Sequence, residues 1–247
     1  MRILCCMFLI LLSLPGFGQS MGPAKNSGWP DFRRLTYPDY GLEQVQAFIR
    51  QNKDRRESLM NTPASDGGFD SLSLREKFTY AMIHPERYLQ NCSGSEYFFR
   101  RGKLFARLSS GYNENMLSRR QIHFLKTNRD SVMTFIRAIT RGANTWGINL
   151  KQAIIEINGW EMIPAMAAYH RQRPDDTDVL TTFMQLMAND VFGEFVQSPY
   201  YDPLYGAQSR YNAIIDYNKT TETFIINTAM NYYKYRTGKR PSGTSAK

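Results

Sequence analysis

The chain has 247 residues and a formal net charge of +9, with 42% hydrophobic, 13% aromatic and 21% charged residues. That apolar content excludes wholesale disorder, 17 Gly and 11 Pro exclude a collagen-like or proline-rich chain, and three cysteines exclude a disulfide scaffold. The length suits one domain with a core of its own.

The N-terminus carries a single cation, Arg2, then an apolar run from Ile3 to Leu14, then Pro15-Gly16-Phe17-Gly18-Gln19-Ser20. This layout predicts a secretory signal peptide over residues 1–18, cut after Gly18, with a cut after Ser20 as the alternative. The run is too short for a bilayer-spanning helix, which needs about 20 residues. Cys5 and Cys6 lie inside the run, so neither can become a lipid-anchored first residue. Removing the peptide leaves Cys92 as the lone thiol and places the product in the periplasm or outside a bacterial cell. No later stretch reaches membrane-spanning length, so a soluble, non-spanning product is expected.

Residues 19–41 read as an extended lead-in. Leu42, Val45, Phe48 and Ile49 then share one helical face, with charge opposite through Arg56. Asn61 to Asp70 is a turn-rich loop, and Ser73 with Glu76 forms a capping box opening a helix that Pro85 interrupts. Residues 96–108 predict a β-hairpin about Gly102, with Tyr97 and Phe99 facing Phe105.

Ser118 can cap one long helix, striped by Ile122, Leu125, Val132, Ile136 and Ile139 and closed by Gly142. Ala153, Ile154 and Ile157 make a short helix ending at Asn158-Gly159, and Trp160 starts another in which Pro164 fits the first turn. Asp175 or Asp176 caps a helix striped by Val179, Leu180, Phe183, Leu186, Met187, Val191 and Phe195. A Pro- and Tyr-rich loop, 198–206, leads to a last long helix bearing Tyr211, Ile214, Ile215, Ile225, Thr228 and Tyr232. The expected fold is mainly α: a globular bundle of about seven helices, with a single helical domain over residues 42–236. The basic tail 237–247 is expected to be disordered.

Recognisable catalytic signatures are missing. Neither Gly-x-Ser-x-Gly nor Ser-x-x-Lys occurs, nor a Walker A loop, Gly-x-Gly-x-x-Gly, His-Glu-x-x-His or Cys-x-x-Cys. His84, His123 and His170 lie on separate segments, so no metal and no cofactor is expected. Two pairings keep an envelope hydrolase as the alternative. Glu156 and Glu161 flank a turn beside Trp160, as a glycan-cleaving carboxylate pair would, and His84 lies eight residues before Cys92, as a thiolate–imidazole pair would.

The pattern above background is charge segregation. Residues 100–129 hold Arg100, Arg101, Lys103, Arg107, Arg119, Arg120, Lys126 and Arg129 against Glu114, while residues 175–202 hold six acids and no Lys or Arg. A basic surface concentrates anions, and for an exported chain these are acidic glycans, lipid head groups or an acidic protein face rather than nucleic acid. Unless the two segments pair with each other, the expected function is non-catalytic binding through Arg100, Arg101, Arg119 and Arg120. Tyr200, Tyr201 and Tyr205 add stacking faces, unless they form a packed connector. A structural or assembly component is the second alternative.

Overall fold

The computed structural model describes residues 30–52, 66–88, 102–109 and 115–238. It is mainly helical, as expected, with eleven α-helices and two short antiparallel ladders among these residues. The segment expected to be a signal peptide, Arg100, Arg101, Cys92, Tyr97, Phe99 and the tail from 239 lie outside them. No described helix is long and apolar enough to cross a membrane.

The axis of the fold is the helix of the Val179–Met187 stripe. This helix, Asp178–Asn189, is the eighth (α8), and every residue from Asp178 to Met187 is buried. A helix buried around its whole circumference must be wrapped on all sides. Its wrapping comes from α6 (Ile148–Glu156), α7 (Ile163–Gln172), α9 (Gly193–Val196) and α11 (Lys219–Arg236). Around these lie α1 (Leu42–Gln51), α2 (Asp66–Ser71), α3 (Leu74–Ile83), α4 (Arg119–Thr127), α5 (Arg129–Thr140) and α10 (Tyr201–Tyr205).

Local signals act as the sequence predicts at several helix starts. Ser73 and Glu76 form the capping box of α3, Ser118 forms one with Gln121 at α4, and Pro164 sits in the first turn of α7. Elsewhere the structure corrects the reading. The long helix after Ser118 is two helices, divided at Asn128, whose side-chain amide donates to the Phe124 carbonyl at 2.9 Å. The last helix starts later than expected. Asn218 caps it through Thr221 N–H, and residues 214–216 before it are a strand. That strand (β4, Ile214–Asp216) pairs with β2 (Lys103–Phe105), Leu104 opposite Ile215. Of the expected hairpin, residues 96–101 lie outside the described residues. β1 (Arg87–Tyr88) pairs with β3 (Asn115–Met116).

Residues 30–36, expected within the lead-in, form a strap clipped into the body. Arg33 donates to both carboxylate oxygens of Asp178, at 2.8 and 3.0 Å, with both side chains buried. Beside it, Lys151 meets Asp176 at 2.5 and 2.7 Å, both side chains fully buried, and Tyr169 donates its hydroxyl to Asp176 at 2.9 Å. Burial pushes the Asp176 carboxyl up to about 6 against the pull of Lys151. Further along, Asn149 brackets Thr36, accepting from its N–H and donating to its carbonyl. Gly147 is needed here, because a Cβ would stand 2.4 Å from Thr36 N. Asp176 and Asp178 are therefore partners of buried cations, not caps. Thr177 holds the N-cap position of α8, without a side-chain bond.

The helices α6 and α8 end alike. Asn158 N–H bonds Ile155 O and Gly159 N–H bonds Ile154 O. Val191 N–H bonds Ala188 O and Phe192 N–H bonds Met187 O. Both are Schellman ends, with Asn158 at φ 47° and Val191 at φ 51° in the left-handed position that normally takes glycine. Asn tolerates this; β-branched Val does not. Val191 is 66% exposed, so little packing opposes its removal. Val191→Gly is expected to stabilise the fold by about 0.5–1 kcal/mol, read as a rise of about 2–3 °C in thermal midpoint.

Candidate functional site

A cleft of about 660 Å³ opens where α4, α6 and α8 meet the 107–109 and 115–117 segments. Such a volume falls in the range of small-ligand sites, about 300–1,000 Å³. Its base is a small apolar cluster separate from the main core, made of Leu108, Ile148 and Ile155. Helical spacing explains the walls: Ile148, Gln152, Ile155 and Glu156 share a face of α6, as do Gln185 and Asn189 of α8. Ile122, Lys126 and Arg129 continue the same spacing along α4 into α5.

The charged groups of the cleft divide into committed and uncommitted ones. Arg129 is committed: it donates to the Ile157 and Asn158 carbonyls at the end of α6 and to Glu161 at 2.6 Å. Asp190 is committed too, taking Asn158 Nδ2 at 2.8 Å, the Tyr232 hydroxyl and the Arg236 guanidinium. Arg107 and Lys126 are exposed, and among the described residues neither meets a carboxylate. Arg107 instead lies over the ring of Tyr211, 5.5 Å from its centre, and Tyr211 is 52% exposed. Glu156 accepts from Gln152 at 2.9 Å and supplies the opposing negative charge.

Of the residues expected to bind, Arg100 and Arg101 lie outside the described residues and the others do not line this cleft. Arg119 is exposed at the start of α4. Arg120 turns inward to Glu86, whose side chain is 2% exposed. Ser118 Oγ donates to the same carboxylate at 2.6 Å and Tyr80 donates at 3.0 Å. Burial opposes ionisation of Glu86, yet the bonds from Arg120, Ser118 and Tyr80 together hold its carboxyl below the ordinary range. Arg120 also lies 4.8 Å from the centre of the Phe69 ring.

Tyr200 packs on Phe224, and Tyr201 on Phe195. Tyr205 donates its hydroxyl to the Ala106 carbonyl at 2.7 Å. These three half-buried side chains thus serve as a connector between helices. Among the described residues the acidic stretch does not pair with the basic one. Asp178, Asp176, Asp175 and Asp190 pair instead with Arg33, Lys151, Arg173 and Arg236.

The structure describes three of the four hydrolase candidates. Glu156 lines the cleft, whereas Glu161 is held by Arg129. His84 is buried against Tyr80, 5.0 Å between ring centres, and Cys92 is outside the described residues. His170 is buried between the Asp176 carbonyl and Glu222, and His123 is exposed beside Thr127. Burial lowers the His170 imidazole and Glu222 only partly offsets this. Among the described residues no group of three His, Cys, Asp or Glu side chains could hold a metal ion.

The sequence reading singled out the basic segment 100–129 but not Arg107 and Lys126 as the members that line this cleft. The Ile122–Lys126–Arg129 spacing was the available signal. No family model, curated protein or solved structure matches the chain.

Proposed function

We propose that this chain is an exported, non-catalytic binding protein that receives a small anionic ligand in the cleft over α6. The observation that carries this reading is the pair Arg107 and Lys126, cations at a ligand-sized cavity with no carboxylate of their own among the described residues. Structural cations are ordinarily matched, as Arg33, Arg120 and Lys151 are here. An anion bridging Arg107 and Lys126 would gain charge-assisted hydrogen bonds from both. The hydrolase alternative finds less support, since a glycan-cleaving pair needs two available carboxylates and Glu161 is already spent on Arg129.

Each hydrogen bond to a charged group contributes about 1.5–3 kcal/mol, so the double variant Arg107→Ala/Lys126→Ala should bind its anionic ligand at least about tenfold more weakly. Wild-type affinity should fall as salt rises from low to high, and the variant should lose that salt dependence. Equilibrium dialysis with small carboxylates at two ionic strengths reads both. Salt-insensitive affinity, equal in wild type and variant, would remove the electrostatic basis of the proposal. For export, the expected result is an envelope-fraction polypeptide whose sequencing starts at Gln19; a cytosolic chain still beginning at Met1 would reject it.

A further inference from the structure

The base of the cleft carries two polar side chains that the protein itself leaves incompletely bonded. Ser109 lines the cleft at 4% exposure, and its buried Oγ has no hydrogen-bond partner among the described residues. Gln185 accepts from the Leu108 N–H at 3.2 Å, and its amide nitrogen, which no described residue bonds, is open to a ligand in the cleft. Buried polar groups in native proteins are paired almost without exception, and an unpaired one such as Ser109 Oγ costs free energy that a suitable ligand atom recovers. Both groups lie in the same cavity as Arg107, Lys126, Asn189 and Tyr211.

We infer that the ligand of this cleft is a carboxylated sugar, with its carboxylate taken by Arg107 and Lys126 and its hydroxyls by Ser109 and Gln185. The inference rests on the anion-binding reading and deepens it. A sugar acid supplies what the lining asks for: one negative charge for the two cations, and several hydroxyls that donate or accept. Asn189 and Glu156, which line the same cavity, can take further hydroxyls. An acyl carboxylate of the same charge fits less well. Its hydrocarbon tail can lie on Leu108, Ile148 and Ile155, but it gives no partner to the Ser109 Oγ or the Gln185 amide nitrogen.

The test is calorimetric titration of the purified protein with galacturonate, glucuronate and N-acetylneuraminate, with galactose as the neutral control and decanoate as the acyl carboxylate. At least one sugar acid is expected to bind, with galactose at least about thirtyfold weaker. Ser109→Ala and Gln185→Leu should each lower that affinity about five- to thirtyfold. The thermal midpoint of Ser109→Ala should be unchanged or raised, because it removes an unsatisfied group, whereas that of Gln185→Leu should fall, because it strands the Leu108 N–H. Arg107→Ala/Lys126→Ala should abolish it. Binding of decanoate with none of the sugar acids would overturn the sugar inference and leave the anion reading standing. Equal binding of galactose and the sugar acids would overturn both. Sugar-acid affinity untouched by Ser109→Ala and Gln185→Leu would overturn the role assigned to the base, as would no binding of any sugar acid.

Discussion

Lys151→Met is expected to destabilise the protein by about 3–5 kcal/mol, the usual cost of removing one partner from a buried ion pair. The loss is large because Asp176 stays behind, fully buried, with the Tyr169 hydroxyl as its remaining side-chain donor. Water cannot reach it to compensate. Burial already pushes this carboxyl up to about 6 with the lysine present, so without it Asp176 must take up a proton at neutral pH. The double variant Lys151→Met/Asp176→Leu removes both charges and is expected to recover most of the loss, since an apolar pair of similar volume often replaces a buried ion pair without penalty. Urea unfolding midpoints of the three proteins check this. A single variant within 1 kcal/mol of wild type would mean that the pair is not buried in solution.

Arg120→Ala carries the second large effect, about 3 kcal/mol, and it guards against a misreading. Arg120 is drawn from the basic segment and would pass for a ligand contact. Its removal, however, strands the Glu86 carboxylate, 2% exposed, on the bonds from Ser118 and Tyr80. Glu86 fastens the chain after α3 to the start of α4, with Gln121 bonding both the Glu86 N–H and the His84 carbonyl. A lost ligand in this variant would therefore report a loosened fold. Arg119→Ala, exposed one position earlier, should leave stability within about 0.5 kcal/mol. Denaturant midpoints for the two variants separate them, and equal midpoints would contradict the Glu86 geometry.

The legible parts of this fold were those written locally. Ser73 with Glu76 announces a helix within four residues, and Val179, Leu180, Phe183, Leu186 and Met187 announce a buried one within nine. Composition and stripe spacing were enough for a mainly helical bundle. Long-range pairings were not legible. Asp176 and Asp178 look like ordinary first-turn acids, because nothing nearby in sequence reveals Lys151 or Arg33. The strand at 214–216 was hidden by isoleucines that suit a helix equally well, until β2 supplies its partner. The same limit applies to the site. Charge segregation pointed to the segment 100–129, but whether a cation faces a cavity or a carboxylate is decided by Glu86, on another helix's exit. Only Lys126 carried a local clue, its place one turn after Ile122 on a face that continues to Arg129.

The strap at residues 30–36 bears on the order in which the chain can be completed. Arg33 leaves the ribosome early, but its partner Asp178 follows 145 positions later, and Phe32 C=O waits 119 positions for Lys151. The strap thus cannot be seated before the start of α8 has been made, since closing so wide a loop precedes any reward from the contact. A nascent polypeptide of this kind keeps its first described segment unseated until synthesis is well advanced.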